Sequence, residues 1–372
     1  MDTPASLRVE AGAILALRFY DMAYAIDLAR VEALGAQRAH TPTARLRLRR
    51  ADAKAIALSD PPVEIGLGAV TVQVGGRALA GEAVARVYDF GAVSIAIRHA
   101  VENLPLATYV ELTTAFARAQ HDGSGDVWTE LRERVRSWIE PAMERPDFSG
   151  LEEEYLVSTV ERFDRPVDAD ELLRTVDLVP LLAGERRELA EGARKDLLKY
   201  RFSYYKDDLA VLSWDQAFLI EPGGDQDVAD VLEVATAQLL ELRYYDTLLD
   251  RELPRMYDRI EAAHGRLPAL ARRHYSRLAR ELHVLVAEVT EITERIDNAL
   301  KVTEDVYLAR VYGAALELFR VPIWAAAVDR KLDIIRQTYT ALHEEANTSR
   351  AALLEMSIVA LIVLEIVMAF VM

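Results

Sequence analysis

The chain has 372 residues, more than one hydrophobic core usually contains, so two or three structural units are expected. Its content of 51% apolar and 28% charged residues is that of a folded protein and excludes a disordered chain. The net charge of −16 argues against direct nucleic-acid binding, and the absence of cysteine excludes disulfides, thiolate catalysis and cysteine-ligated metal sites.

The first part of the chain, residues 1–222, mixes strand and helix patterns, which predicts an α+β domain with an antiparallel or mixed sheet. Strands are predicted at AILALRF (13–19), VEIGLGAVTVQVGG (63–76), EAVARVYDFGAVSIAIRHA (82–100), EEYLVSTVERFD (153–164) and, as a pair, within 197–222. Helices are predicted at 25–37, 105–120, 126–143 and 168–182.

Two segments of this part share one order of features. RVYDFGAVSIAI (86–97) and SYYKDDLAVLSW (203–214) each place an aromatic residue and a turn before a β-rich run. We therefore advance a duplicated strand–helix–hairpin unit as a hypothesis.

From GGDQD (223–227) the pattern becomes helical, which predicts a bundle of long antiparallel helices or a coiled coil over 223–350. The first helix should bury one face, which begins with Val231, Ala235, Leu239 and Leu242, and it should kink or break at Pro254. The second carries apolar residues in steps of four and three, which is coiled-coil spacing, at Ala271, Tyr275, Leu278, Leu282, Leu285, Val289, Ile292 and Ile296. A third helix is expected at about 304–320 and a fourth from 323 to Met372.

The chain ends in the apolar segment MSIVALIVLEIVMAFVM (356–372). Counted from Arg350 the segment has 22 residues, or about 33 Å of helix, which is enough to cross a bilayer core of about 30 Å. We therefore predict a transmembrane helix at 351–372, with Glu355 near the headgroups and Glu365 inside the span. A buried helix of a soluble bundle is the alternative.

The predicted span has basic residues on one side, at Lys331, Arg336 and Arg350, and none after it. Because basic residues stay in the cytoplasm, this pattern predicts a single-pass C-terminal anchor in the inner (cytoplasmic) membrane with the bulk of the protein in the cytoplasm. The N-terminal segment matches neither a signal peptide nor a transit peptide.

No motif in the sequence indicates catalytic, cofactor-binding or metal-binding residues. The polar residues of the helical part nevertheless form two groups with helical spacing, which we predict to be a network that fixes how the helices cross. A buried acidic or cation-handling site is the sharper alternative. The two groups are Arg243, Asp246 and Asp250, and Asp305, Tyr307 and Arg310.

Three segments carry a family resemblance: FLIEPGGDQDVADVLEVATAQLLELRYYDTLLD (218–250), ERIDNALKVTEDVYLARVYGAALELF (294–319) and RKLDIIRQTYTALHEEANTSRAALLEMSIVALIVLEIVMAF (330–370). Together they resemble the required-for-meiotic-nuclear-division (YagE-like) family, a domain of unknown function, in its bacterial form. The resemblance implies an inner-membrane protein that forms large homo-oligomers, as mitochondrial members do in support of translation. It implies no catalytic residues.

Three functions follow as hypotheses. The first is a non-enzymatic, membrane-anchored, self-associating scaffold that binds an unknown protein partner and needs no cofactor. The second is an oligomeric ion channel or ion sensor similar to CorA-type magnesium channels, with Glu365 either lining a pore or packing between helices. The third is an enzyme of unknown reaction in the α+β domain.

Overall fold

A computed structural model describes residues 7–36, 43–45, 56–58, 60–121, 125–184, 189–264, 268–298, 300–302 and 306–371. The chain divides into two compact units. Unit 1 comprises Met1–Glu241 and Ile296–Pro322, and unit 2 comprises Leu242–Arg295 and Ile323–Met372.

The strands of the described residues all belong to unit 1. They are β1 (Arg8–Asp21), β2 (Ala23–Ile26), β3 (Thr43–Arg45), β4 (Ile56–Leu58), β5 (Val63–Val74), β6 (Arg77–Val87), β7 (Ala92–Pro105), β8 (Met143–Pro146), β9 (Glu152–Phe163), β10 (Arg201–Phe202), β11 (Leu209–Leu212), β12 (Gln216–Ile220) and β13 (Leu300–Val302).

The helices are short in the first part of the chain and long in the second. They are α1 (Leu28–Ala36), α2 (Leu106–His121), α3 (Gly125–Ile139), α4 (Ala169–Thr175), α5 (Val179–Ala183), α6 (Glu191–Leu197), α7 (Asp227–His264), α8 (Pro268–Asn298), α9 (Val306–Leu318) and α10 (Val321–Val371).

Nine strands form one mixed sheet in the order β10-β11-β12-β9-β1-β7-β6-β5-β3. All neighbours are antiparallel except β9 and β12, which run parallel. Two small antiparallel pairs, β2 with β8 and β4 with β13, lie outside this sheet. The predicted α+β architecture is therefore confirmed.

Strand β1, in the middle of the sheet of unit 1, has buried side chains on both faces. On one face Ile14, Ala16 and Tyr20 of β1 join a core that includes Trp128 and Val135 of α3. The alternate β1 residues point to the other face, because side chains alternate along a strand, and most of them are buried too. The second face must therefore be covered by other elements.

Helix α7 covers this second face, and its first sixteen residues, 227–242, are buried without interruption. In the register of the sheet Arg86 lies opposite Ser94, and Ser94 lies opposite Phe19, so all three share the second face. Both Arg86 and Ser94 contact Glu233 of α7. The prediction that this helix buries only one face is wrong for its first part, because its acidic residues meet polar partners on the sheet instead of water.

Three other predictions need correction. The helix predicted at 126–143 ends at Ile139, before Pro141, and a short 3-10 helix and β8 follow. The helix predicted at 168–182 consists of α4 and α5, because the chain is extended at Val176 between them. Helix α7 continues through Pro254, so the proline marks no break.

The duplication hypothesis does not hold for the strand arrangement. Strand β7 pairs with the first strand of its half, β1, whereas its counterpart β11 pairs with β10 and β12 and not with β9, so the two halves of the sheet are built differently. The two similar segments share only a turn that precedes a buried strand, β7 in one case and β11 in the other.

Unit 2 consists of helical segments from α7, α8 and α10. Burial in α8 follows the predicted seam, with buried side chains at Tyr275, Leu278, Leu282, Val289 and Ile292. Within this unit, Lys331 of α10 forms ion pairs with Asp246 and Asp250 of α7.

The compact units differ from the predicted division into 1–222, 223–350 and 351–372. Residues 227–241 and 296–322 group with the sheet, because α7 packs on it and the Phe319 ring, after the end of α9, packs against Tyr155 of β9. Among the described side chains, no single helix combines the length and hydropathy of a membrane span, although α9 and the start of α10 do so together. Most side chains of 351–372 lie outside the described residues.

Gly91 gives a direct test of the turn between β6 and β7. Its φ is +104°, its carbonyl accepts a hydrogen bond from the Met22 amide, and an added Cβ would lie 1.9 Å from the Ala23 carbonyl oxygen. We expect Gly91→Ala to lower the free energy of unfolding by about 2–5 kcal/mol, through backbone strain and the clash.

Gly192→Ala is the matched control, because an added Cβ in α6 meets nothing within 4 Å. Removing a helical glycine should raise stability by about 0.5–1 kcal/mol. Denaturant titration measures both variants, and equal small effects would contradict the proposed geometry of the turn.

Candidate functional site

A pocket of about 330 Å³ lies in unit 1 where the sheet ends and α7 begins. The loop before β11, the segment between β12 and α7, and the first turn of α9 form its walls. Its lining residues are Tyr205, Asp207, Asp208, Leu209, Ala210, Ile220, Glu221, Pro222, Gly223, Asp225, Asp227, Val228, Tyr307 and Leu308.

The lining of this pocket is acidic, with five carboxylates, two tyrosines and no basic residue among the described residues that form it. One carboxylate is structural, because Asp208 accepts hydrogen bonds from the amides of Tyr204 at 2.7 Å and Tyr205 at 3.0 Å and so shapes the loop. The charge of the pocket favours a cationic group over an anionic one.

Two residues of the predicted network lie at this end of unit 1. Tyr307 is buried, lines the pocket and has its ring centre 5.8 Å from that of Tyr204. The guanidinium carbon of Arg310 lies 5.9 Å from the ring centre of Phe202 in β10. Both side chains therefore contact aromatic rings at the edge of the sheet, and Asp305 lies outside the described residues.

The other predicted group lies in unit 2. The ammonium group of Lys331 lies 2.7 Å from a carboxylate oxygen of Asp246 and 2.6 Å from one of Asp250, and it also donates to the Asp246 carbonyl. Arg243 places its guanidinium carbon 5.7 Å from the ring centre of Trp324. These contacts join α7 to α10. The side chains of Glu355 and Glu365 lie outside the described residues.

A second polar site lies between the sheet and α7. The guanidinium of Arg86 lies 2.6 Å from a carboxylate oxygen of Asp230, 2.5 Å from one of Glu233 and 3.2 Å from one of Glu64. The Ser94 hydroxyl donates a hydrogen bond to the other oxygen of Glu233. Arg86 of β6 thus forms ion pairs with three carboxylates, two of which belong to α7.

Burial dominates the electrostatics of this cluster. It would lower the pKa of Arg86, but Glu233 and Asp230 raise that pKa well above its ordinary value, so the guanidinium stays charged. Burial raises the pKa of Asp230 to about 6, although Arg86 opposes the rise. The Arg86 cluster is therefore suited to holding α7 on the sheet.

The described part of the chain contains no group of three or more acidic or histidine side chains arranged to bind a metal ion.

Sequence reasoning missed both the pocket and this cluster. Arg86 is 147 positions from Glu233, so no local spacing connects them. A usable signal was present in α7, where Asp227, Asp230, Glu233 and Glu241 fall within about 120° of the helix circumference. A stripe of acids on a helix with few bases nearby predicts a basic partner on another element.

Comparison with known proteins assigns the part of the chain that contains the sheet to a protein family. Residues 11–226, more than half of the chain, match the family described as "Uncharacterized protein MJ0711, N-terminal domain". The chain belongs to this family. Uncharacterized protein MJ0711 of Methanocaldococcus jannaschii is 28% identical over 193 residues, which are 52% of this chain and 58% of that protein.

The match spans less than two thirds of the length of the archaeal relative. No solved structure matches the chain. The MJ0711 N-terminal domain accounts for β1 to β12 and for most of the pocket lining, whereas α7 and everything after it lie beyond the matched residues.

The Arg86 cluster predicts a large effect of a single substitution. Arg86→Leu should lower the free energy of unfolding by about 3–5 kcal/mol at pH 7, because it leaves buried carboxylates without their cation. The loss should be smaller at pH 5, where those carboxylates can take up protons.

The matched control is Arg98→Leu on the neighbouring strand β7. Arg98 lies 3.1 Å from Glu161, and both side chains are more than a third exposed, at 39% and 37%. Its loss should stay below about 1 kcal/mol. Chemical denaturation at both pH values measures the pair, and similar losses in both variants would show that Arg86 is not a structural ion-pair centre.

Proposed function

We propose that this protein is a non-enzymatic, membrane-anchored, self-associating scaffold, with its α+β unit on the cytoplasmic face of the inner membrane. The single observation that supports the anchor most strongly is the end of α10. Seven apolar side chains there are between 49% and 65% exposed: Ile358, Val359, Leu361, Ile362, Val363, Ile366 and Met368.

These seven side chains cover about 220° of the helix circumference. A helix that packs along one side of a bundle exposes a polar face, and this segment has none. An exposed apolar surface that surrounds most of a helix requires a cover, and the acyl chains of a bilayer provide one.

The energetics of the segment support insertion. The isoleucine, leucine, valine and phenylalanine residues of 356–372 contribute roughly −3 to −6 kcal/mol, and one off-centre acid costs at most about 2.5–3.5 kcal/mol. Lys331, Arg336 and Arg350 before the span favour an orientation with the sheet unit in the cytoplasm.

Self-association is the second part of the proposal. The segments 218–250, 294–319 and 330–370 resemble the required-for-meiotic-nuclear-division (YagE-like) family, whose mitochondrial members form large homo-oligomers. Because of these segments, we propose that the chain is also related to the YagE-like family. The segments lie almost entirely beyond the residues matched to the MJ0711 N-terminal domain.

The channel alternative rests on Glu365, and the enzyme alternative rests on the acidic pocket. No described contact of Glu365 favours a pore, since its side chain lies outside the described residues. The pocket presents carboxylates and tyrosines without an assigned reaction. The scaffold therefore remains the function that the observations favour.

Leu361→Lys tests the anchor, because residue 361 lies at the middle of the proposed span. A lysine there costs about 2.5–3.5 kcal/mol, which corresponds to a loss of roughly 100-fold in the partition between membrane and solution. Ala341→Lys, at an exposed site of α10 outside the apolar segment, is the control and should leave the partition unchanged.

Flotation of the full-length chain with lipid vesicles measures this partition. The wild type and the control should float, and Leu361→Lys should remain in solution. The same preparation in mild detergent tests self-association, since the particle mass should be several times that of one chain. A wild type that stays in solution contradicts the anchor, and a strict monomer in detergent contradicts the oligomer.

A further inference from the structure

Unit 1 contains two buried carboxyl groups, Asp21 and Glu241, that have no cation beside them among the described residues. Glu241 of α7 is fully buried, and neither of its carboxyl oxygens has a hydrogen-bond partner among the described residues. Asp21 at the end of β1 is 2% exposed, and its Oδ2 also lacks a partner there. Asp21 follows Phe19 by two positions in β1 and so lies on the sheet face that α7 covers, where its charge acts on Glu241.

Glu233 on the same helix shows what a charged carboxylate needs at this depth. It is equally buried, but its two oxygens are bound by Arg86 and by Ser94. Of the two buried glutamates of α7, Glu233 is therefore paired, whereas Glu241 has no partner among the described residues.

The groups that face the Asp21–Glu241 pair supply no compensating positive charge. Ser149, which follows β8, forms a hydrogen bond with Asp21, and Asp147 adds a further negative charge. Among the described residues, no basic group contributes to the charge balance of either carboxyl. Two ionised carboxylates in this space would therefore be neither hydrated nor paired, which is far more costly than taking up a proton.

We propose that Asp21 and Glu241 form a proton-binding site that joins the end of β1 to helix α7 when protonated and loosens that contact when the proton leaves. The ligand of this site is a proton, and its release introduces negative charge into a fully buried contact. The proposal does not depend on membrane anchoring, because both carboxyls lie in unit 1.

The electrostatics agree with this geometry. Burial raises the pKa of Asp21 to about 7, with Ser149 lowering it and Asp147 raising it further. Burial and the charge of Asp21 raise the pKa of Glu241 well above its ordinary value. Because the folded chain binds these protons more tightly than the unfolded chain, the site contributes its full stability below about pH 4, and that contribution is lost as pH rises through about 7.

The test compares the melting temperatures of the full-length wild type and of Glu241→Gln in mild detergent between pH 5.5 and 8.5. The amide cannot ionise, so Glu241→Gln should melt roughly 5 °C or more above the wild type at pH 8.5, with a smaller difference at pH 5.5. Glu233→Gln is the matched control and should melt below the wild type across this range. A Glu241→Gln variant that melts below the wild type at pH 8.5 would overturn the proposal.

Hydrogen exchange of the wild type makes the proposal testable even if the variant does not fold. After correction for the intrinsic pH dependence, peptides that contain Asp21 or Glu241 should lose at least tenfold in protection from pH 6 to pH 8.5. A peptide from the middle of β9 should not change. Unchanged protection in the peptides that contain Asp21 and Glu241 would overturn the proposed proton-binding site. Stabilisation of the wild type by Mg²⁺, without stabilisation of Glu241→Gln, would also overturn it and would identify a cation site instead.

Discussion

The ion pairs between Arg86 and the carboxylates of Asp230 and Glu233 determine how the rest of unit 1 can be assembled. A helix with acids along one side can be buried completely only if a cation meets those acids that stay ionised, because an unpaired buried charge costs several kcal/mol. Arg86 is presented by β6 at the register position where the second face of the sheet contacts α7. Burial of α7 in turn closes the sheet on both faces and places the start of the helix beside the acidic pocket.

Much of this fold could be predicted from the sequence. Strands β1, β5, β7 and β9 follow from runs of apolar and β-branched residues, and helices α2 and α8 follow from the helical spacing of their apolar residues. The complete burial of residues 227–242 in α7 could not be predicted, since Asp230 and Glu233 look like solvent-facing residues until their partner is known. The partners Arg86 and Lys331 come from distant parts of the chain. The sequence therefore predicted that Asp246 and Asp250 belong to a polar network on α7, but it did not predict that Lys331 binds them.

The two parts of the chain support different kinds of statement about function. The sheet belongs to the MJ0711 N-terminal domain family, and it contains the pocket and the buried carboxyl pair. The exposed apolar end of α10 is the observation on which the proposed anchor rests. The proposed scaffold would be held at a membrane by this segment and would present the sheet domain to the cytoplasm.

Burial of residues 227–242 of α7 on every side is the central claim, and two substitutions on opposite sides of this part of the helix test it most directly. Val231 lies on the face that the sequence predicts to be buried, Leu240 lies about 180° away, and both are fully buried. The free energy of unfolding should fall by about 1.5–3 kcal/mol for Val231→Ala and by about 2–5 kcal/mol for Leu240→Ala. A loss at Val231 with no loss at Leu240 would mean that residues 227–242 of α7 have a solvent-exposed side and would contradict the account.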